Sequence, residues 1–410
     1  MNRASILLIL SSFVSFVGSG IFFISITWYV YKMSGNSTSV GMIVLLSSVP
    51  GIFISPIAGV IADRFNKKRI VILMDILRWF LIVSVFSLEI LGLLTTYYLY
   101  FVTVAVTICS NLFFPSFSGL IKVSVDKEKL SRVMSANSTG LQLGTIIGSS
   151  LAGLLIATVS IQGSFLICSI SYVLSAMLLG GIKNKEKHID WVASEGHNNK
   201  VGLFSSLLDG FTYIRDNTNI RILILLGLIT GTIVSAINTL LSAYTVEVLN
   251  SSEKVYGILD ASYAFGGVIV GVLLVITKVK IPFMKSLLMS TFTLALSFLL
   301  LGIFSSIIVS IITLSIIGLA NMYQGVIRKT KLIGITDVNY IGRVESVNWL
   351  VYSTISPIIA LLLGVSANVV SIDKIFLLVG VALIILFFAI LIFGSVYAKE
   401  KYNERNNVNE

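Results

Sequence analysis

Runs of apolar residues long enough to cross a bilayer, separated by short polar stretches, cover most of this chain. A helix needs about 20 predominantly apolar residues to span the hydrocarbon. Twelve segments qualify: 5–31, 40–62, 70–94, 97–121, 133–158, 162–182, 220–248, 255–277, 284–304, 306–327, 343–368 and 372–396. The pattern predicts an all-α membrane protein of twelve transmembrane helices. The longest polar interruption, 183–219, stands between the sixth and seventh spans. It divides the chain into a six-helix half at 1–182, a linker, a six-helix half at 220–398 and a polar tail at 399–410. Within the linker, Leu203, Leu207, Phe211 and Ile214 recur at helical spacing. They predict an amphipathic helix over 203–216, lying along the inner membrane surface.

The two halves carry traces of duplication. Asp126–Asn137 and Asp337–Asn348, offset by 211 positions, share Asp126/Asp337, Arg132/Arg343, Val133/Val344, Ser135/Ser346 and Asn137/Asn348. Gly153 and Gly364 fall in step further along. One segment enters span five and the other span eleven. The repeat is therefore parallel: two six-helix units in one orientation, related by a pseudo-two-fold axis.

Composition agrees with a membrane protein. The chain is 56% hydrophobic and 12% charged, with a mean hydropathy of +0.97, against roughly 25% charged residues in soluble proteins. A net charge of +10 could suit a nucleic-acid binder, but its placement excludes that reading. With the N-terminus inside, 25 of the 29 Lys and Arg fall in inner segments; Lys32, Lys254 and Lys374 fall outside, and Arg78 lies within a span. By the positive-inside rule, both termini belong in the cytoplasm of a multi-pass protein of the inner or plasma membrane. The apolar run after Arg3 is too long for a secretory signal and reads as a retained helix. Cys109 and Cys168 both fall inside spans, so no disulfide framework, metal site or cofactor is expected. His188 and His197 read as solvated residues of the linker.

Chemistry concentrates at a few positions. Between spans two and three the chain reads Gly59-Val-Ile-Ala-Asp63-Arg64-Phe-Asn-Lys67-Lys68-Arg69. The basic residues hold this turn in the cytoplasm, Asp63 can pair with Arg64, and Gly59 lets two helix ends approach closely. Ionisable residues at membrane depth cost about 2.5–3.5 kcal/mol each at a helix centre; here they are Asp75, Arg78, Glu89, Glu247 and Asp260. Asp75 and Arg78 share a helix face and can neutralise each other. Asp260 has no basic neighbour on its own helix, which makes it a proton-coupling candidate beside Glu247 and Asp75. Gly140, Gly144 and Gly148 recur every fourth residue, and Gly267 and Gly271 repeat that spacing in span eight. Such strips let helices pack closely and slide. Trp28, Tyr29 and Tyr31, with Tyr97, Tyr98 and Tyr100, read as an interfacial aromatic belt.

Two repeats of six spans with a basic loop after span two resemble the major facilitator superfamily of transporters. A narrower likeness, to the macrolide-efflux and siderophore-exporter branch, rests on Asp75-Ile-Leu-Arg78, Arg132-Val-Met-Ser-Ala-Asn137 and Asp209-Gly-Phe-Thr-Tyr-Ile-Arg215. Ser149 stands where drug antiporters of the family often carry proline, and 97–121 lacks their arginine. The resemblance implies that spans five and eight meet across the halves, so that the glycine strips form a rocking seam. It implies gating by Gly59, Asp63, Arg64, Lys67, Lys68 and Arg69 with Asp75 and Arg78. It further implies a central cavity lined chiefly by spans one, four, seven and ten. Asn111, Asn238, Asn321 and Gln324 become cavity candidates, and Phe22, Tyr244, Tyr263 and Tyr323 could stack on an amphipathic ligand.

No Gly-x-x-x-x-Gly-Lys-Ser/Thr phosphate loop occurs, so energy has to come from an ion or substrate gradient. The expected protein is not an enzyme. It is a monomeric secondary transporter, driven by protons and exporting amphipathic small molecules by alternating access. Its partners are that cargo, protons and the lipid bilayer, with no nucleic acid. Within the spans, acids outnumber Arg78 by four to one, which favours cationic or neutral cargo. Two alternatives stand beside it: a metabolite importer or lysolipid transporter of the same fold, and a non-transporting membrane sensor or immunity protein.

Overall fold

A computed structural model describes residues 3–182, 203–276, 282–337 and 340–407. His188 and His197, with the charged first part of the linker, lie outside the described residues, as does the side chain of Asp63. Every regular element among the described residues is helical. The first group comprises α1 (Arg3–Ser34), α2 (Ser37–Leu46), α3 (Val49–Arg64), α4 (Lys67–Ile90), α5 (Thr96–Ser124), α6 (Lys127–Thr158) and α7 (Ile161–Gly180). A short helix, α8 (Leu203–Asp216), precedes α9 (Thr218–Ala243), which closes on a π-helical turn at Tyr244–Val248. The second group continues with α10 (Glu253–Ile276), α11 (Phe283–Ile303), α12 (Ile307–Ile335), α13 (Ile341–Ser366) and α14 (Ile372–Asn407). Short polar connections start several helices through side-chain caps: Asn36 accepts from the Thr38 amide at 2.7 Å, and Asn66 from the Arg69 amide at 2.9 Å.

Eleven helical segments among the described residues are long and apolar enough to cross a membrane. α10, the eighth of the twelve expected spans, has the length but is not among the eleven. Its charged residues gather toward its start, at Glu253, Lys254 and Asp260, and the rest of the helix is apolar. The second expected span is broken into α2 and α3 at Ser47–Ser48. Pro50 has no N–H to return to the preceding turn, and the chain restarts as a helix around it.

The two ends of the bundle differ. At the end where α1 finishes, the Ser34 end, one hydrophobic core joins both groups, from Ile21 and Ile156 to Leu240, Phe298 and Phe376. At the opposite end, where α3 gives way to α4, the core divides. One cluster holds Leu8, Val71, Phe113 and Leu179; another holds Leu223, Leu287, Leu332 and Val344. The groups are fused at the Ser34 end and diverge toward the Arg64 end.

Glycine governs the closest approaches. A Cβ on Gly153 of α6 would collide with the Gly257 backbone of α10, and the reverse holds for Gly257. This is the seam between the groups. The strip expected there faces elsewhere: Gly144 and Gly148 lie against the backbone of Phe13 and Val17 in α1, and Gly140 beside Ile9. Gly267 neighbours Gly318 and Met322 of α12, while Gly271 has no described atom within 4 Å of where its Cβ would stand. The correction follows from helix geometry. Five residues separate Gly148 from Gly153, which turns the two about 140° apart on α6. A single residue spacing of four can serve one face only.

Gly148→Leu is therefore expected to destabilise the α1–α6 contact by about 1–3 kcal/mol or more through overpacking. Gly140→Ala should be nearly neutral, since its Cβ would meet only Ile9 at 3.7 Å. Unfolding of the purified protein in mixed micelles measures both; equal losses would contradict this packing.

Candidate functional site

The break between α2 and α3 opens onto a cavity of about 310 Å³ between the two helix groups. Ser47, Ser48 and Gly51 from the break, Phe23 of α1 and Asn111 of α5 line one side. Ser235 and Asn238 of α9, with Trp349, Tyr352 and Pro357 of α13, line the other. A Cβ at Gly51 would press on the Asn111 amide, so the glycine leaves that side chain its place beside the cavity. The polar backbone of a broken helix at membrane depth is tolerated where it faces such a cavity. Among the described residues, no charged side chain lines the walls.

Above the cavity, the Ser34 end is sealed by side chains from both groups. Trp28 stacks on Tyr256 with ring centroids 4.4 Å apart. Tyr31 donates to Glu247 Oε1 at 2.7 Å, and Lys32 pairs with Glu253 at 3.2 Å. Thr38 bonds the Gly364 carbonyl at 3.2 Å and accepts from Asn368 at 2.9 Å. Trp28 and Tyr31 are thus buried in the seal rather than set in the lipid interface. Tyr97, 83% exposed, is free to take that place. One turn below the Trp28–Tyr256 stack, Asp260 is 4% exposed and its Oδ2 has no hydrogen-bond partner.

The Asp75–Arg78 pair lies inside the first group. Arg78 Nη1 stands 3.6 Å from Asp75 Oδ1, and both side chains are fully buried. Ser15 and Ser175 donate to the carboxylate at 3.0 and 2.6 Å. The guanidinium lies over Phe113 at 4.6 Å and Tyr172 at 5.1 Å, which offers cation–π contact to a group with unfilled N–H donors. The pair ties α1, α4, α5 and α7 together.

In that loop, Lys68 donates to the carbonyls of Gly180 and Ile182 at 3.0 and 2.6 Å, satisfying the end of α7. The stem of Lys67 fills the space above Gly119. Arg64 and Arg69 are exposed. Among the described residues, Gly59 has nothing within 4 Å of where its Cβ would stand. The close approach expected there is missing, because the groups diverge at this end.

Of the cavity candidates, Asn111 and Asn238 line the space. The others link helices around it. Asn321 donates to the Tyr263 hydroxyl at 3.2 Å, Gln324 to Thr291 at 3.3 Å, and Tyr323 bonds Ser286 at 2.9 Å. Tyr244 is buried against Phe376 and bonds Ser310 at 2.9 Å. Phe22 is buried in the core beneath the seal, and its neighbour Phe23 faces the cavity.

Sequence reading missed Arg328. The expected span ends at 327, yet α12 runs on to Ile335 and buries Arg328 to 8% exposure. Its Nη1 bonds the Leu223 carbonyl at 3.3 Å and Asn348 Oδ1 at 3.2 Å. In the first group Ser12 donates to Asn137 Oδ1 at 2.6 Å. Ser12 and Leu223, like Asn137 and Asn348, are 211 positions apart. The repeat thus places an asparagine tie at equivalent points in each group.

The linker helix α8 sits beneath α13. Asp209 pairs with Arg343 at 3.6 Å, Tyr213 stacks on Tyr340 at 4.2 Å, and Gly210 lies close to the Arg343 backbone. These contacts account for the spacing of the Asp209-Gly-Phe-Thr-Tyr motif.

Comparison with known proteins agrees with this geometry. The family profile of the Major Facilitator Superfamily matches residues 8–329. A staphyloferrin A transporter of Staphylococcus aureus is 25% identical over 383 residues, covering 91% of this chain and 92% of its own length. A macrolide efflux protein A of Streptococcus pyogenes is 22% identical over 380 residues, covering 90% and 91%. The crystal structure of the nucleoside transporter NupG has the same fold, with a TM-score of 0.70 at 14% identity over 95% of this chain and 98% of that one.

Removing Arg78 alone strands Asp75 in the core. Arg78→Met should cost about 3–5 kcal/mol, and Asp75→Asn combined with Arg78→Met should cost less than Arg78→Met alone. A double-mutant cycle of unfolding in mixed micelles reads this directly. Additive losses would mean the two groups do not act as a pair.

Proposed function

The chain belongs to the Major Facilitator Superfamily and is a multi-pass membrane transporter, and we propose that it is a proton-driven exporter of amphipathic small molecules, working by alternating access across the cell membrane. The observation that carries this reading is the difference between the two ends: one fused core with a stacked seal, and two separate cores around an open mouth. With the positive-inside orientation, both termini are cytoplasmic and the cavity opens to the cytoplasm. That is the state in which an exporter collects cargo. Residues 1–182 and 220–398 act as rocking halves, joined through the linker and its helix α8.

The Gly153–Gly257 crossing is the pivot. Opening the far side requires breaking the Trp28–Tyr256 stack and the Tyr31–Glu247 bond. Closing the near side brings Gly59 and the exposed Arg64 and Arg69 toward the second half, as gating elements. Asp260 is the proton-coupling group: a carboxyl with an unpartnered oxygen beneath a seal that opens and closes can gain a proton in one state and lose it in the other. The relatives named for macrolide efflux and staphyloferrin A transport support drug-like or siderophore-like cargo, and with it a place among resistance transporters.

The test is accumulation of a fluorescent amphiphile in energised cells with and without an uncoupler. Expression of the protein should lower accumulation, the uncoupler should abolish that difference, and Asp260→Asn should act like the uncoupler. Raised accumulation would mark an importer, and no change a non-transporting protein. Full proton drive in Asp260→Asn would remove Asp260 from the coupling step.

A further inference from the structure

Arg328 and Arg78 are the two buried arginines among the described residues, and of the two only Arg78 is in contact with a described carboxylate. Within 4.0 Å of Arg328 no described carboxylate forms an ion pair. The nearest candidate, Glu345 on α13, is engaged by Lys329 at 3.3 Å. Arg328 Nε has no hydrogen-bond partner. Glu345 acts on the guanidinium through space without contacting it, so part of its hydrogen-bonding edge stays unused.

Its position relates it to the cavity by two separate measures. On α9, Gly227 makes room for it: a Cβ there would meet the guanidinium carbon and Nη1 at 2.8 Å. One turn further along, Gly231 makes room for the ring of Tyr352, which lines the cavity. On α13, Arg328 bonds Asn348, which lies one turn before Tyr352 and next to Trp349, another cavity-lining residue. Both helices place the guanidinium one turn, about 5.4 Å, below the Tyr352 wall, on the side of the open mouth.

We propose that Arg328 is an anion-receiving subsite at the floor of the cavity, and that the cargo carries a carboxylate or similar anionic oxygen group on an aromatic or apolar body. This rests on the reading of the cavity as the cargo site. The guanidinium fork matches a carboxylate in two parallel hydrogen bonds, while Trp349, Tyr352 and Phe23 offer apolar faces to the rest of the molecule.

The acids counted from the sequence do not oppose this assignment. Asp75 is held by Arg78, Glu89 accepts from Gln162, and Glu247 accepts from Tyr31. Asp260 lies under the seal, at the other end of the second group. None of the four is on the cavity wall. The preference for cationic or neutral cargo drawn from counting acids is replaced by a preference for anions.

Two dyes sharing a xanthene core test it: anionic carboxyfluorescein and cationic rhodamine 6G, bound to the purified full-length protein and followed by fluorescence anisotropy. The wild type should bind the anionic dye about tenfold or more tightly than the cationic one. Arg328→Gln should weaken the anionic dye by about tenfold and leave the cationic dye within about twofold. Arg328→Lys should keep the preference for the anion with weaker binding, and it carries the comparison if the glutamine variant does not fold. A purely structural role would weaken both dyes alike. That result, or a wild type that prefers the cation or does not bind the anion, overturns the proposal. Dye movement in vesicles under a pH gradient is read separately. Binding with this preference but without outward movement refutes export and leaves the subsite standing; movement without the preference does the reverse.

Discussion

The contact of Gly153 on Gly257 sets how close the two helix groups come, and the seal depends on it. With two side chains at that crossing, α6 and α10 would stand apart by the thickness of a methyl group or more. Trp28 could then no longer stack on Tyr256 at 4.4 Å, nor Tyr31 reach Glu247 at 2.7 Å. The shared core at the Ser34 end is a consequence of the same approach, because Ala152 and Ile156 on α6 and Leu259 on α10 are buried around it. A contact made of two backbones has little side-chain interlock to break. It can hold two bodies together and still serve as a pivot.

Much of the architecture was legible because a bilayer imposes it. Crossing length, the positive-inside bias and the interruption at 183–219 are properties of the linear chain, and Pro50 alone forecasts a weak point in the second span. Facing directions were not legible in the same way. Gly148 and Gly153 are equally small and close in sequence, yet one meets α1 and the other α10, and only the assembled bundle says which neighbour lies on which side. Trp28 and Tyr31 show the same limit. Their position near a span end suits an interfacial belt, but the partner that takes them out of the lipid comes from over 200 residues away. Arg328 was lost to a boundary: Arg328-Lys329-Thr-Lys331 reads as the start of a loop, although a helix can continue through charged residues when one of them turns inward. The signal available was Gly227 with Gly231 on α9, a notch spaced for two large side chains.

The two groups carry their ionisable residues differently. The first encloses an acid and a base three residues apart and surrounds both with hydroxyls and aromatic rings. That arrangement is satisfied as it stands and braces four helices. The second sets its two buried charged residues, Asp260 and Arg328, apart. Asp260 lies near the seal and Arg328 near the open mouth, each with an unfilled hydrogen-bonding atom. Paired charges stabilise one arrangement, whereas separated and incompletely partnered ones respond to what arrives. The pseudo-symmetry of the Asn137 and Asn348 ties makes the contrast sharper, since the frame is shared and the chemistry differs.

Asp260 and Arg328 stand on α10 and α12, and these helices are locked together. A Cβ at Gly266 would strike the Ser315 carbonyl, one at Gly318 would strike Tyr263, and Asn321 bonds the Tyr263 hydroxyl. With backbones this close, α10 cannot tilt at the seal without carrying α12 with it. Arg328 is held in turn to α9 and α13 through Leu223 and Asn348, so a tilt of α12 moves the floor of the cavity. In the proposed roles, protonation at Asp260 and an anion at Arg328 would act on one rigid pair of helices from opposite ends. Such coupling would need no chain of side-chain relays, only two sites biasing the same element between two arrangements.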